Sequence, residues 1–165
     1  MVQNGVFKAA EEGEAPTHVM VNGLPVPIEE SKRKQVDQEE VQVCKLSLRN
    51  ISKEETKRRM ALSKHGMWAS LVLGAGLLAA GDRAPREARL AMILPLAQWI
   101  GFYLSSVQGI CGMSVSAVWD PDGAGIRKIA DPEFARAIWN KALKTHVAQA
   151  IIPTALTLAF YKMPV

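Results

Sequence analysis

The stretch LAMILPLAQWIGFYLSSVQGICGMSVSAVW, residues 90–119, runs for thirty residues without a charged side chain. As one α-helix it would rise about 45 Å, more than the roughly 30 Å of a bilayer's hydrocarbon core. Uncharged runs of this length are rare in soluble proteins of this size, and the pattern predicts a transmembrane helix over about 93–119, with Pro95 in its first turns or at a kink. Gly101, Ser105, Gly109, Gly112 and Ser116 recur at steps of four, four, three and four, which places them on one helix face. In lipid, small residues gain close backbone packing while giving up little lipid contact, so this stripe is the candidate helix-packing interface. Gln98 and Gln108 add amides that need partners in hydrocarbon.

Two further apolar spans flank it. GMWASLVLGAGLLAAG, residues 66–81, is extended by Ala61 and Leu62 to a predicted span over about 62–81, with Lys64 snorkelling. Ser70 and Gly74 form a small-xxx-small pair within it and join the packing interface; Gly76 and Ala80 form another. VAQAIIPTALTLAFY, residues 147–161, predicts a third span over about 147–162, interrupted by Pro153, with Thr154 or Thr157 serving the carbonyl that proline frees. A re-entrant or partner-buried helix is the alternative for this segment. Trp68 and Trp119 are expected at one membrane face, where amphipathic rings prefer to lie.

The polar remainder has its own signals. Residues 1–65 hold eleven Lys/Arg and ten Asp/Glu with one aromatic, Phe7, which speaks against a basic, aromatic-studded nucleic-acid surface. The first sixteen residues lack the apolar region of a secretory signal and are too acidic for an Arg-rich mitochondrial presequence, so targeting information is expected to be internal or already removed. THVMVNGLPVPI, residues 17–28, predicts a small hairpin about Asn22-Gly23, whose second strand carries Pro25 and Pro27 and is therefore an edge. A lone hairpin is marginal in water, so it should lie on something else. Residues 29–40 read as a solvated charge run and 41–48 as a short strand. Ser52 and Glu55 form a capping box that starts a helix near Lys53. Asp131-Pro132-Glu133 starts another, whose amphipathic stretch, 132–146, is expected to lie along the membrane interface.

The predicted fold is thus mainly α and integral to a membrane, with two to three transmembrane helices. A polar N-terminal extension, 1–52, precedes a membrane domain, 53–165. Lys53, Lys57, Arg58, Arg59, Lys64, Arg127, Lys128, Arg136, Lys141 and Lys144 stand on one side against Arg83, Arg86, Arg89 and Lys162 on the other, which puts the N-terminus on the positive side.

Chemistry is sparse. The spans lack the intramembrane charges typical of transporters and channels, and there is no phosphate loop, nucleophile elbow or Cys/His cluster. Cys44 and Cys111 lie in unlike segments and are not expected to pair. The acidic loop DPDGAGIRKIA departs from the EF-hand pattern and reads as a plain turn. His65 and His146, at the starts of the first and third spans, are the candidate ligands of a b-type haem. Residues 54–62, EETKRRMAL, resemble the E-x-x-N-x-R-x-A-M pattern of chlorophyll-binding light-harvesting helices, with Glu54 and Arg59 at the matching spacing but Lys57 in place of Asn or His; EARLAM in the second span lacks the spaced Glu. The resemblance implies a pigment-associated thylakoid protein.

The expectation is a non-catalytic accessory subunit, not an enzyme and without a cofactor of its own, in a large energy-transducing membrane complex. A respiratory complex or ATP synthase of the mitochondrial inner membrane, N-terminus in the matrix, is favoured; its partners would be other subunits and membrane lipids. The alternatives are a peripheral photosystem subunit of the thylakoid, a bacterial inner-membrane protein, or a haem-, quinone- or lipid-binding subunit of an enzyme.

Overall fold

The computed structural model describes residues 10, 14–21, 24–29, 37–111 and 118–164. Among them the chain is mostly helical with two small two-stranded antiparallel sheets. In order it forms β1 (His18–Val21), β2 (Leu24–Pro27), α1 (Gln38–Leu46), α2 (Lys53–Ala80), 3₁₀ turns at Gly81–Arg83 and Arg86–Met92, α3 (Ile93–Gln108), β3 (Val118–Trp119), β4 (Arg127–Lys128) and α4 (Pro132–Lys162). The chain divides into two units: unit 1 holds Met1–Thr56 and Gln108–Leu143, and unit 2 holds Lys57–Val107 and Lys144–Val165.

Unit 1 has a conventional core: Val41, Cys44, Ile110, Trp119, Ile129, Phe134, Ile138 and Ala142 are buried together. Trp119 and Phe134 meet edge to face at 5.1 Å, an arrangement worth about 0.5–1.5 kcal/mol beyond the area buried. The hairpin forms as expected, with Val21 opposite Leu24; its turn, Asn22-Gly23, lies outside the described residues. It is seated on the β3–β4 loop, where the Ile126 amide donates to the His18 carbonyl at 2.8 Å. Gly125 makes this approach feasible: its φ is +139°, and a Cβ there would lie 2.6 Å from the His18 oxygen.

Four expectations fail here, each for a physical reason. First, residues 41–48 are not a strand. Asp37 caps α1 by accepting from the Glu39 and Glu40 amides at 3.1 Å, and Val41 and Cys44, three apart, become its buried face. Second, the uncharged run is not one helix to residue 119. α3 stops at Gln108 because Gly109 turns left-handed, φ +64°, and the chain leaves as irregular backbone. Asn50, fully buried, provides for that backbone: its amide donates to the Gly109 carbonyl at 3.0 Å, and its side chain accepts from the Cys111 amide at 2.8 Å and donates to the Cys111 carbonyl at 3.2 Å. Third, Trp119 is a core residue with no exposed surface, not a ring at a membrane face. Fourth, residues 132–146 and 147–162 form one helix rather than an interfacial helix followed by a span. Phe134, Ile138 and Ala142 do share a face, but the core of unit 1 covers it.

Ser52 and Asp131 both cap their helices as expected, Ser52 through its half of the predicted box. The Glu55 amide donates to the Ser52 hydroxyl at 3.2 Å, and the Asp131 carboxylate accepts from the Glu133 and Phe134 amides at 2.9 and 3.3 Å. Pro95 sits in the first turn of α3, where a missing amide costs nothing. Among the described residues, one helical segment is long and apolar enough to cross a membrane by length and composition, Arg86–Gln108, and only 28% of its apolar window is buried.

Candidate helix-packing site

Unit 2 is built from residues 57–80 of α2, α3 and residues 144–162 of α4. The buried face of α2 is a run of small residues, Ser63, Gly66, Ser70 and Gly74, at steps of three, four and four. Gly66 is the tightest point. A Cβ on it would lie 2.5 Å from the Trp99 nitrogen and 2.9 Å from its Cα, so α2 and α3 touch backbone to backbone. The Ser63 hydroxyl donates to the Trp99 carbonyl at 3.0 Å, and the Gln98 amide reaches the Leu62 carbonyl at 3.4 Å. Gly74 meets the Met92 methyl, which a Cβ would approach to 3.6 Å. Ser70 turns inward and bonds the Gly66 carbonyl of its own helix at 2.8 Å.

The α3 stripe plays a different part from the one its spacing suggests. Gly101 has open space where a Cβ would stand; its contribution is a carbonyl that accepts from the Gln149 amide of α4 at 2.7 Å. Ser105 is buried and accepts from Arg59. Gly109 lies beyond the helix and packs on the Arg49 side chain in unit 1. Gly112 and Ser116 lie outside the described residues. The buried residues of α3 are Leu96, Ile100, Ser105 and Ser106. Ser63 and Gly66 went unremarked in the sequence, although they continue the Ser70–Gly74 spacing towards the N-terminus.

α4 closes the group. Arg86 and Arg89, from the 3₁₀ turn before α3, cap its C-terminus: Arg86 donates to the Tyr161 and Lys162 carbonyls at 3.0 and 3.4 Å, and the largely buried Arg89 to the Met163 carbonyl at 2.6 Å. Helix carbonyls at a C-terminus have no partner within the helix, and two guanidinium groups supply one from elsewhere in the chain. Pro153 is buried within α4 without ending it. Thr154 donates to the Ala150 carbonyl at 2.7 Å, whereas the buried Thr157 hydroxyl has no hydrogen-bond partner.

Beside the buried Met92, Leu96 and Ile100, the interior of unit 2 is rich in small and polar residues, while many of its large apolar side chains are outside. Ser63, Gly66, Ser70, Gly74, Ser105, Ser106, Thr145, Pro153 and Thr157 are inside. Trp68, Leu71, Val72, Leu94, Tyr103, Val107, Ile151 and Leu156 are outside, with Val72 and Leu94 more than 70% exposed. His65 and His146 are both on exposed positions, His65 on α2 and His146 on α4. Two imidazoles sharing a haem would have to face a common cavity.

In unit 1, the ionisable groups are engaged in holding the loop between β3 and β4. Asp122 pairs with Arg127, both nearly inaccessible, and also accepts from the Ala124 amide at 3.1 Å and the Asp37 amide at 3.0 Å. Asp120 accepts from the Gly125 amide at 3.1 Å; its burial, with Asp122 nearby, raises its carboxyl above the usual range. Glu40 holds Lys53 at 2.6 Å and Arg49 at 3.6 Å. Cys44 and Cys111 are free thiols, and burial pushes Cys44 up to about 11, an unreactive thiol at neutral pH. Among the described residues no three His, Cys, Asp or Glu side chains are placed to hold a metal ion. This arrangement fits a structural loop better than a reaction centre.

The chain matches no protein-family model, no curated protein and no solved structure.

Proposed function

We propose that this chain is an integral membrane protein whose unit 2 is the membrane domain, and that it serves as a non-catalytic accessory subunit of a large energy-transducing complex. The observation that carries the reading is the distribution within unit 2, with many small and polar residues inside and many large apolar side chains outside. In water, the exposed Trp68, Leu71, Val72, Leu94, Val107, Ile151 and Leu156 would leave large apolar side chains of all three helices in solvent, a surface of the kind that marks an interaction site. In lipid the same distribution is the expected one, because helices associate there through small residues and interhelical hydrogen bonds, with large apolar side chains facing the acyl chains. The bonds Ser63–Trp99, Gln98–Leu62 and Gln149–Gly101 are of that kind.

The helix lengths are compatible with the two to three crossings proposed, although among the described residues only Arg86–Gln108 is apolar enough throughout. Residues 57–80, 86–108 and 144–162 rise about 36, 38 and 29 Å, counting the 3₁₀ turns at about 2 Å per residue, against a core of about 30 Å. The mitochondrial inner membrane, with the N-terminus in the matrix and a respiratory complex or ATP synthase as host, rests on the sequence: short uncharged spans and an excess of Lys/Arg on one side. A scaffold reading agrees with the uses found for the ionisable side chains of unit 1, which bond backbone and one another.

The test is solubilisation in mild detergent, native electrophoresis and mass spectrometry of the co-migrating chains. Migration with respiratory or ATP synthase subunits in a band of several hundred kilodaltons is expected. A free monomer or small homo-oligomer would overturn the accessory-subunit assignment.

A further inference from the structure

The contacts within unit 2 fix the direction of each helix. Ser63 against Trp99 and Gly74 against Met92 make α2 and α3 antiparallel. Gln149 against Gly101, with Arg86 and Arg89 against residues 161–163, makes α4 antiparallel to α3 as well. Residues 57–65 and 144–146 therefore share one end of the helix group, and residues 81–92 and 161–163 share the other.

Both ends carry an excess of cations, but they are held differently. The first carries Lys57, Arg58, Arg59, Lys64 and Lys144; Glu54 and Glu55 stand within one turn of Lys57, Arg58 and Arg59, and Arg59 is bound to Ser105, which leaves Lys64 and Lys144 farthest from a carboxylate along the chain. The second carries Arg83, Arg86, Arg89 and Lys162, offset by Asp82 and Glu87, with Arg86 and Arg89 already bound to α4 carbonyls. Lys57, Arg58, Lys64 and Lys144 are exposed. The nearest acids along α2, Glu54 and Glu55, stand nine or ten residues before Lys64, roughly 15 Å up the axis. The apolar belt starts directly below: Trp68 follows Lys64 by one turn, and Val147 and Ile151 follow Lys144.

We propose that this cationic collar binds the phosphates of anionic phospholipids in the leaflet that surrounds it. The inference rests on the membrane reading above and names its lipid partner. Charge complementarity selects the occupant. A Lys stem lying along apolar surface delivers its ammonium to headgroup depth, where a phosphodiester meets the exposed Lys64 and Lys144, each about ten residues from the nearest carboxylate along its helix. A neutral, zwitterionic headgroup gains much less from the same surface.

The experiment reconstitutes the full chain into nanodiscs of phosphatidylcholine containing a minor fraction of spin-labelled phosphatidylglycerol, with spin-labelled phosphatidylcholine as reference. Electron spin resonance reads the share of each label held against the protein. A clear preference for phosphatidylglycerol is expected, screened by salt. Each cation near the surface contributes roughly fivefold in affinity, so Lys64→Gln with Lys144→Gln should lower the preference by about 25-fold, while Arg83→Gln with Lys162→Gln should leave it nearly unchanged. Both altered lysines are exposed, and an unchanged circular dichroism spectrum certifies the fold. Equal retention of the two labels by the wild type overturns the proposal, as does a preference that follows the residues at the second end. A chain that fails to enter phosphatidylcholine nanodiscs at all refutes the membrane reading instead, which separates the two failures. A preference abolished by an acidic protein partner but not by salt would show that the collar serves a protein, and would also overturn the proposal.

Discussion

Substituting Gly66 by Ala tests whether the α2 stripe holds unit 2 together. The added Cβ would stand 2.5 Å from the Trp99 nitrogen, 2.9 Å from the Trp99 Cα and 3.1 Å from the Gln98 carbonyl carbon. All three are backbone atoms, so no side chain can turn aside. Ordinary contact needs about 3.5 Å, which forces the helices apart by about 1 Å. That displacement stretches the 3.0 Å Ser63–Trp99 bond beyond hydrogen-bonding range, a loss of about 1 kcal/mol. Overpacking adds about 1–3 kcal/mol, and the better helix propensity of Ala returns about 1 kcal/mol. The net expectation is a loss of about 1–3 kcal/mol. The matched control is Gly76→Ala on the same helix, where nothing lies within 4 Å of the new Cβ, so propensity alone acts and stability should hold or rise. The assay is unfolding of the purified chain in mixed micelles with increasing sodium dodecyl sulfate, followed by tryptophan fluorescence. If Gly66→Ala and Gly76→Ala unfold at the same detergent fraction, the backbone contact is not there and the reasoning is refuted.

Three other outcomes are expected. Gly125→Ala should destabilise unit 1 by about 2–4 kcal/mol, since the residue combines a φ of +139° with a Cβ 2.6 Å from the His18 oxygen; limited proteolysis near residues 14–29 would report the hairpin's release, and unaltered protection would count against the docking described. Asp122→Ala leaves Arg127 buried without its carboxylate and should cost about 3–5 kcal/mol, read as a lowered midpoint in thermal unfolding. Cys44 should contribute a pH dependence of known sign. Its thiol is raised from 9.0 to about 11 in the fold, so the unfolded chain releases the proton first, and stability falls as pH rises from about 9 to 11. Cys44→Ala should abolish that slope; an unchanged slope would place its origin elsewhere.

Local chemistry was legible wherever a few neighbouring residues decide the backbone. The Ser52 and Asp131 caps, the hairpin spanning residues 18–27 and Pro95 in a first turn all follow from side chains acting within four residues of themselves. Residues 41–48 misled because Val41, Val43 and the neighbouring polar residues satisfy a period of two while Val41 and Cys44 satisfy a helix. The cap at Asp37 and the core around Trp119 favour the helix. On α2, Ser70 and Gly74 are buried, and Gly66 continues their spacing without having been singled out. Periodicity shows which residues of α3 share a face and cannot show what faces them: within the chain Gly101 meets open space and Gly109 has left the helix.

The sequence by itself determined the mainly helical character, the apolar segments and most helix starts, since composition, periodicity and capping act over a turn or two. Only the tertiary structure decided where the long uncharged run ends and which face of each helix is inside. Asn50, about sixty residues away along the chain, supplies the hydrogen bonds that let the backbone leave α3 at Gly109, and Trp119 is buried because Phe134 and Val41 enclose it. Such pairings join residues far apart in the chain, and their energies exist only once loop closure has brought the partners together.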